Sequence, residues 1–310
     1  MNSYYRTTKS VAYLTIFLGI LLSELLAQTP KSLGSGVKPV QTMVNTAMHD
    51  TCLNKTFSIV FYFIKDTGTI VNATFMNAAR TAVLNKLNNA FSRICVKFQA
   101  CSTVVIPNSL WNTWSHSQLA NVAINSYSTA NTINLFLPMD LVAPLAGESS
   151  AYTYTIPPLS SNQFTDVVVI DVDALTDGYV EHVFGHFFGL PHTNAEIDTI
   201  SPVSPLPPAN TPSINSREWV KRGPGSNCYT HGDGFCDTEA DPFPAGTGIG
   251  RSPSIEGCGP VYGLKDGNGD YYFPPVDNFM SAYTKCRCRF TQEQYNYMAR
   301  FILTRKLYLH

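Results

Sequence analysis

The sequence predicts an α+β fold in which a mixed sheet precedes an irregular, disulfide-stapled C-terminal sub-domain. Two observations support this prediction. The first half alternates short β-branched and aromatic runs with a long helical pattern. The second half begins with a histidine-containing helix and is then rich in Pro, Gly, Ser and Asn until a closing helix. We place the whole domain over residues 51–310, with an upper sub-domain that ends at about residue 189 and a lower one after it.

Strands are predicted where β-branched and aromatic residues dominate short runs, namely over 58–65, 96–106, 132–137 and 166–170. The spacing of apolar residues predicts a first long helix over 74–93 and a last one over 291–304, with Thr291 as its N-cap. Between them, a helix is predicted over about 176–188. The stretch from 200 to 260 has little periodicity, so we expect disulfide bonds rather than regular helices or strands to hold it in place.

Residues 1–27 are typical of a secretory signal peptide. A basic start precedes an apolar run that ends at Ala27, where cleavage is expected. The run is short for a membrane span and contains Glu24, which favours removal over an uncleaved anchor. Residues 28–50 are polar and contain Pro and Gly, so we expect a leader or linker. These features predict a secreted protein, extracellular or periplasmic, with no membrane association after cleavage.

Charge and cysteine content narrow the possible classes of function. The chain has 21 Lys plus Arg against 22 Asp plus Glu, so its charge gives no reason to expect nucleic acid or an anionic membrane as partner. Eight cysteines, an even number, indicate disulfides in an exported chain. A cysteine metal site is disfavoured because Cys286 and Cys288 are too close for the usual C-x2-C pair.

The clearest chemical signal is a run that contains His182, His186 and His192. Two histidines four residues apart lie on one face of a helix, so both imidazoles can reach one metal ion. Gly189 permits the chain to leave the helix and Pro191 prevents its continuation, so His192 can return as a third ligand. Three protein ligands leave one zinc position open, as in catalytic sites. The alternative, unrelated histidines on a core helix, fits this spacing poorly.

The histidine run resembles the metzincin zinc-protease signature H-E-x-x-H-x-x-G-x-x-H. Four runs narrow the resemblance to the pappalysin-like metalloproteases: 189–193, 232–238, 276–280 and 290–294. The resemblance implies a metzincin-like fold with a zinc-binding helix. It also implies peptide-bond hydrolysis by a zinc-bound water, in a cleft where an edge strand aligns an extended peptide or protein substrate.

The same resemblance assigns roles to residues of the second half. Met280 corresponds to the methionine that forms a hydrophobic floor below the zinc in this family. The family's two disulfides imply an interleaved pairing of four cysteines, Cys228 with Cys258 and Cys236 with Cys286.

One departure from the signature concerns the catalytic base. The family has Glu directly after the first histidine, where it takes a proton from the attacking water and later passes it to the leaving amine, but this chain has Val183. Loss of a positioned general base costs about 10²–10⁴ in rate. Glu181 is a poor substitute, because it lies about 100° from His182 in the opposite direction around the helix. Tyr283 follows Met280 by three residues rather than two, which leaves open whether it stabilises the oxyanion or packs in the turn.

Two functions remain open at this point. The chain is a zinc metallopeptidase homologue with impaired activity, or a non-catalytic pseudoprotease (a pseudoenzyme) that keeps zinc and binds peptides or protein partners. A purely structural zinc module is a third, less favoured reading. Calcium is a second cofactor compatible with a group of oxygen-rich loop residues, although such turns need no ion: Asp233, Asp237, Asp241, Asp266, Asn268 and Asp270.

Overall fold

The structure is a computed structural model, and it describes the following residues: 52–65, 71–107, 113–115, 126–142, 151–156, 165–175, 178–193, 220, 226–229, 231–241, 273–281, 283 and 286–309. All of them belong to one compact unit, Gly36–His310. The predicted signal peptide (1–27) and leader (28–50) lie outside the described residues. The division into two sub-domains near residue 189 stays a prediction. Within the described ranges, no helix is long and apolar enough to cross a bilayer.

Most of the described strands form one sheet. The strands in chain order are β1 (Lys55–Ile64), β2 (Val96–Ile106), β3 (Thr113–Ser115), β4 (Ile133–Leu137), β5 (Asp140–Val142), β6 (Ala151–Ile156) and β7 (Thr165–Ile170). The main sheet has the order β2-β1-β4-β7-β6, and β3 pairs with β5 separately. Strands β2, β1, β4 and β7 are parallel, whereas β6 is antiparallel to β7 at the edge. The predicted mixed sheet is confirmed.

All four predicted strands are present, and β3, β5 and β6 are additions that the sequence analysis missed. Strands β3 and β5 have three residues each, which is too short to show a period. Strand β6 has the sequence AYTYTI, in which Tyr alternates with Thr, and this pattern is typical of strands. It pairs with β7 along its whole length.

The α-helices that pack in the core are α1 (Ala73–Ala90), α2 (Tyr179–Phe187) and α3 (Gln292–Arg305). Helix α1 begins after Asn72, whose side chain accepts the N–H of Phe75 at 2.9 Å. Helix α3 begins after Thr291, the predicted N-cap, which forms a reciprocal capping box with Gln294. Helix α2 carries the histidines. It begins later than predicted because Gly178 has a φ of 75°, outside the helical region.

Strand β1 is buried on both faces and therefore divides the core in two. Its odd-numbered residues from Phe57 to Phe63 pack in a cluster with the apolar sides of all three helices. Its even-numbered residues from Val60 to Ile64 pack in a second cluster with side chains of β4 and β7. This alternation follows from the two-residue period of a strand. Helix α2 is thus part of the larger cluster, so its histidines are carried by a packed element.

The disulfides differ from the interleaved pairing that we expected. Cys228 is bonded to Cys236, and Cys52 is bonded to Cys95. The expected pairs of Cys228 and Cys236 are therefore wrong. The physical reason is local: Gly232 and Gly234 have positive φ angles, and the turn that they permit brings the Cα atoms of Cys228 and Cys236 within 5.1 Å.

The remaining cysteines include both bonded and free thiols. Cys286 is disulfide-bonded, to a partner outside the described residues, and Cys258 also lies outside them. Cys101 and Cys288 are free and exposed.

The oxygen-rich loop gives calcium no support. In the described part of the chain, the triad His182, His186 and His192 is the only group of three His, Cys, Asp or Glu ligand atoms close enough to share a metal ion. The aspartates at 233, 237 and 241 are described and do not form such a group. Residues 266, 268 and 270 lie outside the described residues.

Asp233 is a buried carboxyl in this loop. One of its oxygens, Oδ1, accepts hydrogen bonds from the Phe235 N–H (3.0 Å) and the Thr238 hydroxyl (2.7 Å). The other, Oδ2, has no hydrogen-bond partner among the described residues. Burial, more than the nearby Asp237 and Asp241, raises the pKa of Asp233 to about 8. The folded protein therefore holds this carboxyl protonated at neutral pH.

Asp233→Asn should weaken the dependence of stability on pH. An unfolded Asp releases its proton near pH 4, whereas the folded carboxyl keeps it up to about pH 8. In that window the group lowers the free energy of unfolding by up to about 1.4 kcal/mol per pH unit as pH rises. Urea denaturation at pH 5, 6.5 and 8 should show the variant gaining stability relative to the native chain at each step. The exposed Asp173→Asn is the control, and equal pH slopes for Asp233→Asn and the native chain would contradict the burial argument.

Candidate metal centre

Three imidazole nitrogens converge where helix α2 ends. His182 and His186 lie one turn apart on α2, and His192 follows the turn after it. The Nε2 atoms of His186 and His192 are 2.9 Å apart, and those of His192 and His182 are 3.3 Å apart. Three ligand atoms this close can hold one metal ion.

In two of the three histidines, the second ring nitrogen, Nδ1, is fixed by a backbone carbonyl. Nδ1 of His182 lies 2.6 Å from the Phe279 carbonyl oxygen, and Nδ1 of His186 lies 2.8 Å from that of Leu190. A carbonyl can only accept, so both Nδ1 atoms donate their hydrogen. The Nε2 atoms of these two rings therefore carry lone pairs, as metal coordination requires.

The three rings are neutral at physiological pH. Burial lowers the pKa of His186 to about 4, with a smaller lowering from the positive charge of Arg287. Burial also lowers the pKa values of His182 and His192 well below their usual range, and His186 and Arg287 add to this lowering for both rings. A metal ion binds only the neutral ring, so these residues are ready to bind one without first releasing a proton.

The turn between the second and third histidine requires glycine. Gly189 has a φ of +88°, and a Cβ there would lie 2.7 Å from the Phe301 ring of α3. The Gly189 N–H donates to the His186 carbonyl at 2.9 Å, and the Leu190 N–H donates to that of Gly185 at 3.0 Å. These bonds close the end of α2, so the chain reverses and brings His192 back toward the other two rings.

Met280 lies directly against α2, between its two histidines. A Cβ at Gly185 would lie only 2.3 Å from the Met280 sulfur, so the glycine permits this close contact. Met280 is fully buried, and its N–H donates to the Asn278 side chain at 2.7 Å. The Asn278 amide in turn donates to Gln294 of α3 at 2.9 Å. The turn that supplies the Phe279 carbonyl is thus tied to α3.

Thr193 connects the third histidine to its surroundings. Its N–H donates to the Met280 carbonyl at 3.1 Å, and its hydroxyl donates to Asp241 Oδ2 at 2.7 Å. Both Thr193 and Asp241 are buried. The residue beside His192 is therefore fixed from two directions.

Thr193→Val should weaken metal binding about tenfold or more, as the loss of an outer-shell partner typically does. The substitution keeps the shape of the side chain but removes the hydroxyl that donates to the buried carboxylate of Asp241. The measurement is a competition titration of Zn²⁺ against a chromophoric chelator. Thr193→Ser keeps the hydroxyl and is the control. Equal affinities for the Val and Ser variants would show that this hydrogen bond does not position His192.

Val183, at the position of the catalytic base, and the nearby Glu181 are also buried. Val183 is 2% exposed and packs in the larger core cluster. Glu181 is buried as well, and burial raises its pKa, with a smaller opposing effect of Lys86 on α1. Tyr283 is half-buried, and its N–H lies 3.2 Å from the Ser281 hydroxyl oxygen. Its role at an oxyanion stays a prediction.

Sequence reasoning missed Arg287, which lies beside the centre. Its Nε and Nη2 donate to the Ser281 carbonyl at 2.9 and 2.5 Å, and its guanidinium carbon lies 4.9 Å from the centre of the Tyr179 ring. The Tyr179 ring centre is in turn 6.3 Å from that of His182. Burial lowers the pKa of Arg287 to about 10, so the side chain remains a cation. No local sequence signal links it to histidines about a hundred residues earlier.

Comparisons with known proteins give weak matches. No protein-family model and no curated protein sequence match the chain. The fold is similar to metalloproteinase-II from Bacteroides fragilis, with 12% identity and a TM-score of 0.31, over 52% of this chain and 53% of that one. It is also similar to archaemetzincin from Methanopyrus kandleri, with 13% identity and a TM-score of 0.25, over 44% and 76%. The chain thus spans about half the length of the Bacteroides protein, and the case for function rests on the histidines.

Proposed function

We propose that this chain is a secreted, zinc-binding homologue of pappalysin-like metallopeptidases in which peptide hydrolysis is impaired. The observation that supports it most is the convergence of three neutral imidazoles, two of which have their Nδ1 atoms held by carbonyls. A set of three imidazole ligands is typical of zinc sites that keep the fourth coordination position open. The two described disulfides are compatible with export.

Each residue of the centre has a distinct part in this proposal. His182, His186 and His192 would hold the ion, and the carbonyls of Phe279 and Leu190 orient two of their rings. When bound, zinc supplies a Lewis acid and lowers the pKa of a coordinated water to about 7. Met280 packs against α2 at Gly185 and keeps the floor of the centre apolar.

Val183 limits what this centre achieves. A valine can neither accept a proton nor return one, and the loss of a positioned base costs about 10²–10⁴ in rate. Glu181 does not fill the gap, because it lies about 100° from His182 in the opposite direction around α2, and its charge interacts with Lys86 on α1. Hydrolysis that depends on water alone is therefore expected to be slow.

The second candidate function is a non-catalytic pseudoprotease that binds peptides or protein partners. Strand β6 favours it, because it forms one of the two edges of the described sheet, opposite β2, and runs antiparallel to β7. The outer edge of such a strand offers N–H and C=O groups to an extended peptide. Binding of this kind needs no proton transfer, so Val183 is no obstacle to it.

Digestion assays separate the two candidates. The zinc-loaded chain is incubated with casein and with quenched fluorescent peptides, with and without a chelator. Slow cleavage that the chelator abolishes would support an impaired peptidase. Absence of cleavage, with peptide binding detected by calorimetry, would support the pseudoprotease. Cleavage at an ordinary protease rate, abolished by the chelator, would contradict the impaired centre.

A further inference from the structure

Arg287 is a half-buried cation to which the described residues offer no carboxylate. Its Nε and Nη2 are used by the Ser281 carbonyl, but Nη1 is buried and has no hydrogen-bond partner among the described residues. No carboxylate of the described residues affects its pKa, which burial lowers and the Tyr179 side chain raises in part. By contrast, Arg289, two residues later, is exposed and paired with Asp277 at 2.5 Å. A buried donor without a hydrogen bond is unfavourable, so Nη1 of Arg287 requires an explanation that Arg289 does not.

The position of Arg287 connects it with the histidines. Its guanidinium carbon lies 4.9 Å from the centre of the Tyr179 ring, and that ring centre lies 6.3 Å from the centre of the His182 ring. Its Cβ lies only 2.7 Å from where a Cβ at Gly178 would be, at the start of α2, and its guanidinium stacks on Tyr179. The donors of Arg287 are thus held beside the centre by the N-terminus of α2 and the turn after Met280.

The charge balance of the centre is strongly positive once a metal is bound. A divalent ion adds two positive charges, Arg287 adds a third, and three neutral imidazoles add none. The described residues supply no carboxylate to the centre. The residue that brings a negative charge in the metzincin signature is Val183 here. Positive charge and an unused guanidinium donor together favour an anion that has planar oxygen acceptors.

We propose that the metal centre binds a carboxylate of its ligand, with Arg287 as the residue that recognises it. The proposal rests on the proposed function, because it requires a metal ion on the three histidines. It narrows the ligand of that site to a carboxylate-bearing molecule. In a peptide or protein partner, this group is either the C-terminal carboxylate or the side chain of Asp or Glu.

The test uses the full chain loaded with Co²⁺, whose visible absorption reports changes in coordination. Acetate is titrated by stepwise replacement of chloride, so that the ionic strength stays constant. We expect saturable spectral change in the native protein and at least about tenfold weaker acetate binding in Arg287→Gln, the usual effect of losing a charge-assisted hydrogen bond. Arg289→Gln removes the same charge from the same segment and should bind acetate as the native chain does.

The Co²⁺ spectrum in the absence of acetate controls for the integrity of the centre. An unchanged Co²⁺ spectrum of Arg287→Gln without acetate shows that the centre of this variant is intact. If the variant loses that spectrum, Arg287→Lys is used instead of Arg287→Gln and should bind acetate at intermediate strength. Absence of any acetate response in the native protein, or equal weakening in the Arg287 and Arg289 variants, overturns the proposal. Failure of the native chain to bind Co²⁺ at all overturns the proposed function instead.

Two peptide pairs identify the source of the carboxylate. One pair differs only in a free or amidated C-terminus, and the other, amidated, carries an internal Glu or Gln. The member that perturbs the Co²⁺ spectrum names the group that Arg287 recognises. If acetate binds and none of the four peptides does, carboxylate recognition stands with small free acids as its source. Equal binding of all peptides through Arg287, carboxylate or not, overturns it.

Discussion

Zinc-loaded protein with Val183→Glu should cleave peptides about 10²- to 10⁴-fold faster than the native chain, because a positioned base contributes about this much to such reactions. Position 183 directly follows the first histidine on α2. Val183 is only 2% exposed, so a glutamate there is partly desolvated, but bound zinc and Arg287 offset that cost. The measurement is kcat/KM on a quenched fluorescent peptide, with zinc content determined on the same sample.

Two control variants isolate the proton transfer. Val183→Gln has the size and polarity of glutamate but no titratable group, and it should remain as slow as the native chain. Glu181→Gln tests the neighbouring carboxyl and should change cleavage little. A folded, zinc-loaded Val183→Glu protein that shows no gain would mean that something other than the missing base limits hydrolysis. The same variant should also bind acetate more weakly, since its own carboxylate competes for Arg287.

His186→Ala should lower the affinity for Zn²⁺ by about two to three orders of magnitude, which is the share of one ligand in the binding free energy of a structural zinc site. His186 is chosen because its Nε2 lies 2.9 Å from that of His192 and its Nδ1 is fixed by Leu190. The measurement is again competition with a chromophoric chelator. Because unfolding would also abolish binding, the circular dichroism of the metal-free variant must match that of the metal-free native protein.

His231→Ala is the matched control for this loss. His231 is not a member of the triad, so its removal takes away no ligand and should leave the Zn²⁺ affinity within about twofold of the native value. If the His186 and His231 variants bind Zn²⁺ equally well, the triad does not hold the ion.

The parts of the structure that the sequence predicted well are those set by local rules. The spacing of His182 and His186 fixes them on one face of α2, and Gly189 accounts for the return of His192. Thr291 begins the last helix as predicted, because the capping box involves residues only three apart. The four predicted strands are likewise runs whose composition alone favours the extended backbone.

The parts that the sequence could not supply depend on residues distant in the chain. The Phe279 carbonyl that fixes His182 is 97 residues away from it, and no spacing pattern indicates that contact. Arg287, which follows the turn of Phe279 in the chain, contacts the Tyr179 ring at the start of α2. The pairing of Cys228 depends on a glycine turn, and eight cysteines allow many connectivities. The family resemblance supplied the wrong pairing because it included the run 232–238 but did not indicate that its turn brings Cys228 and Cys236 together.

The central claim, that His182, His186 and His192 hold one zinc ion, is tested most directly by X-ray absorption at the zinc K-edge of the purified full chain. Coordination by these three histidines predicts about one zinc per chain with imidazole nitrogens at about 2.0–2.1 Å and no sulfur neighbour. It also predicts that His186→Ala removes this signature. Sulfur scattering at about 2.3 Å would assign the metal to cysteines, such as the free Cys101 or Cys288, and would contradict the claim. A folded chain that takes up no zinc would contradict it as well.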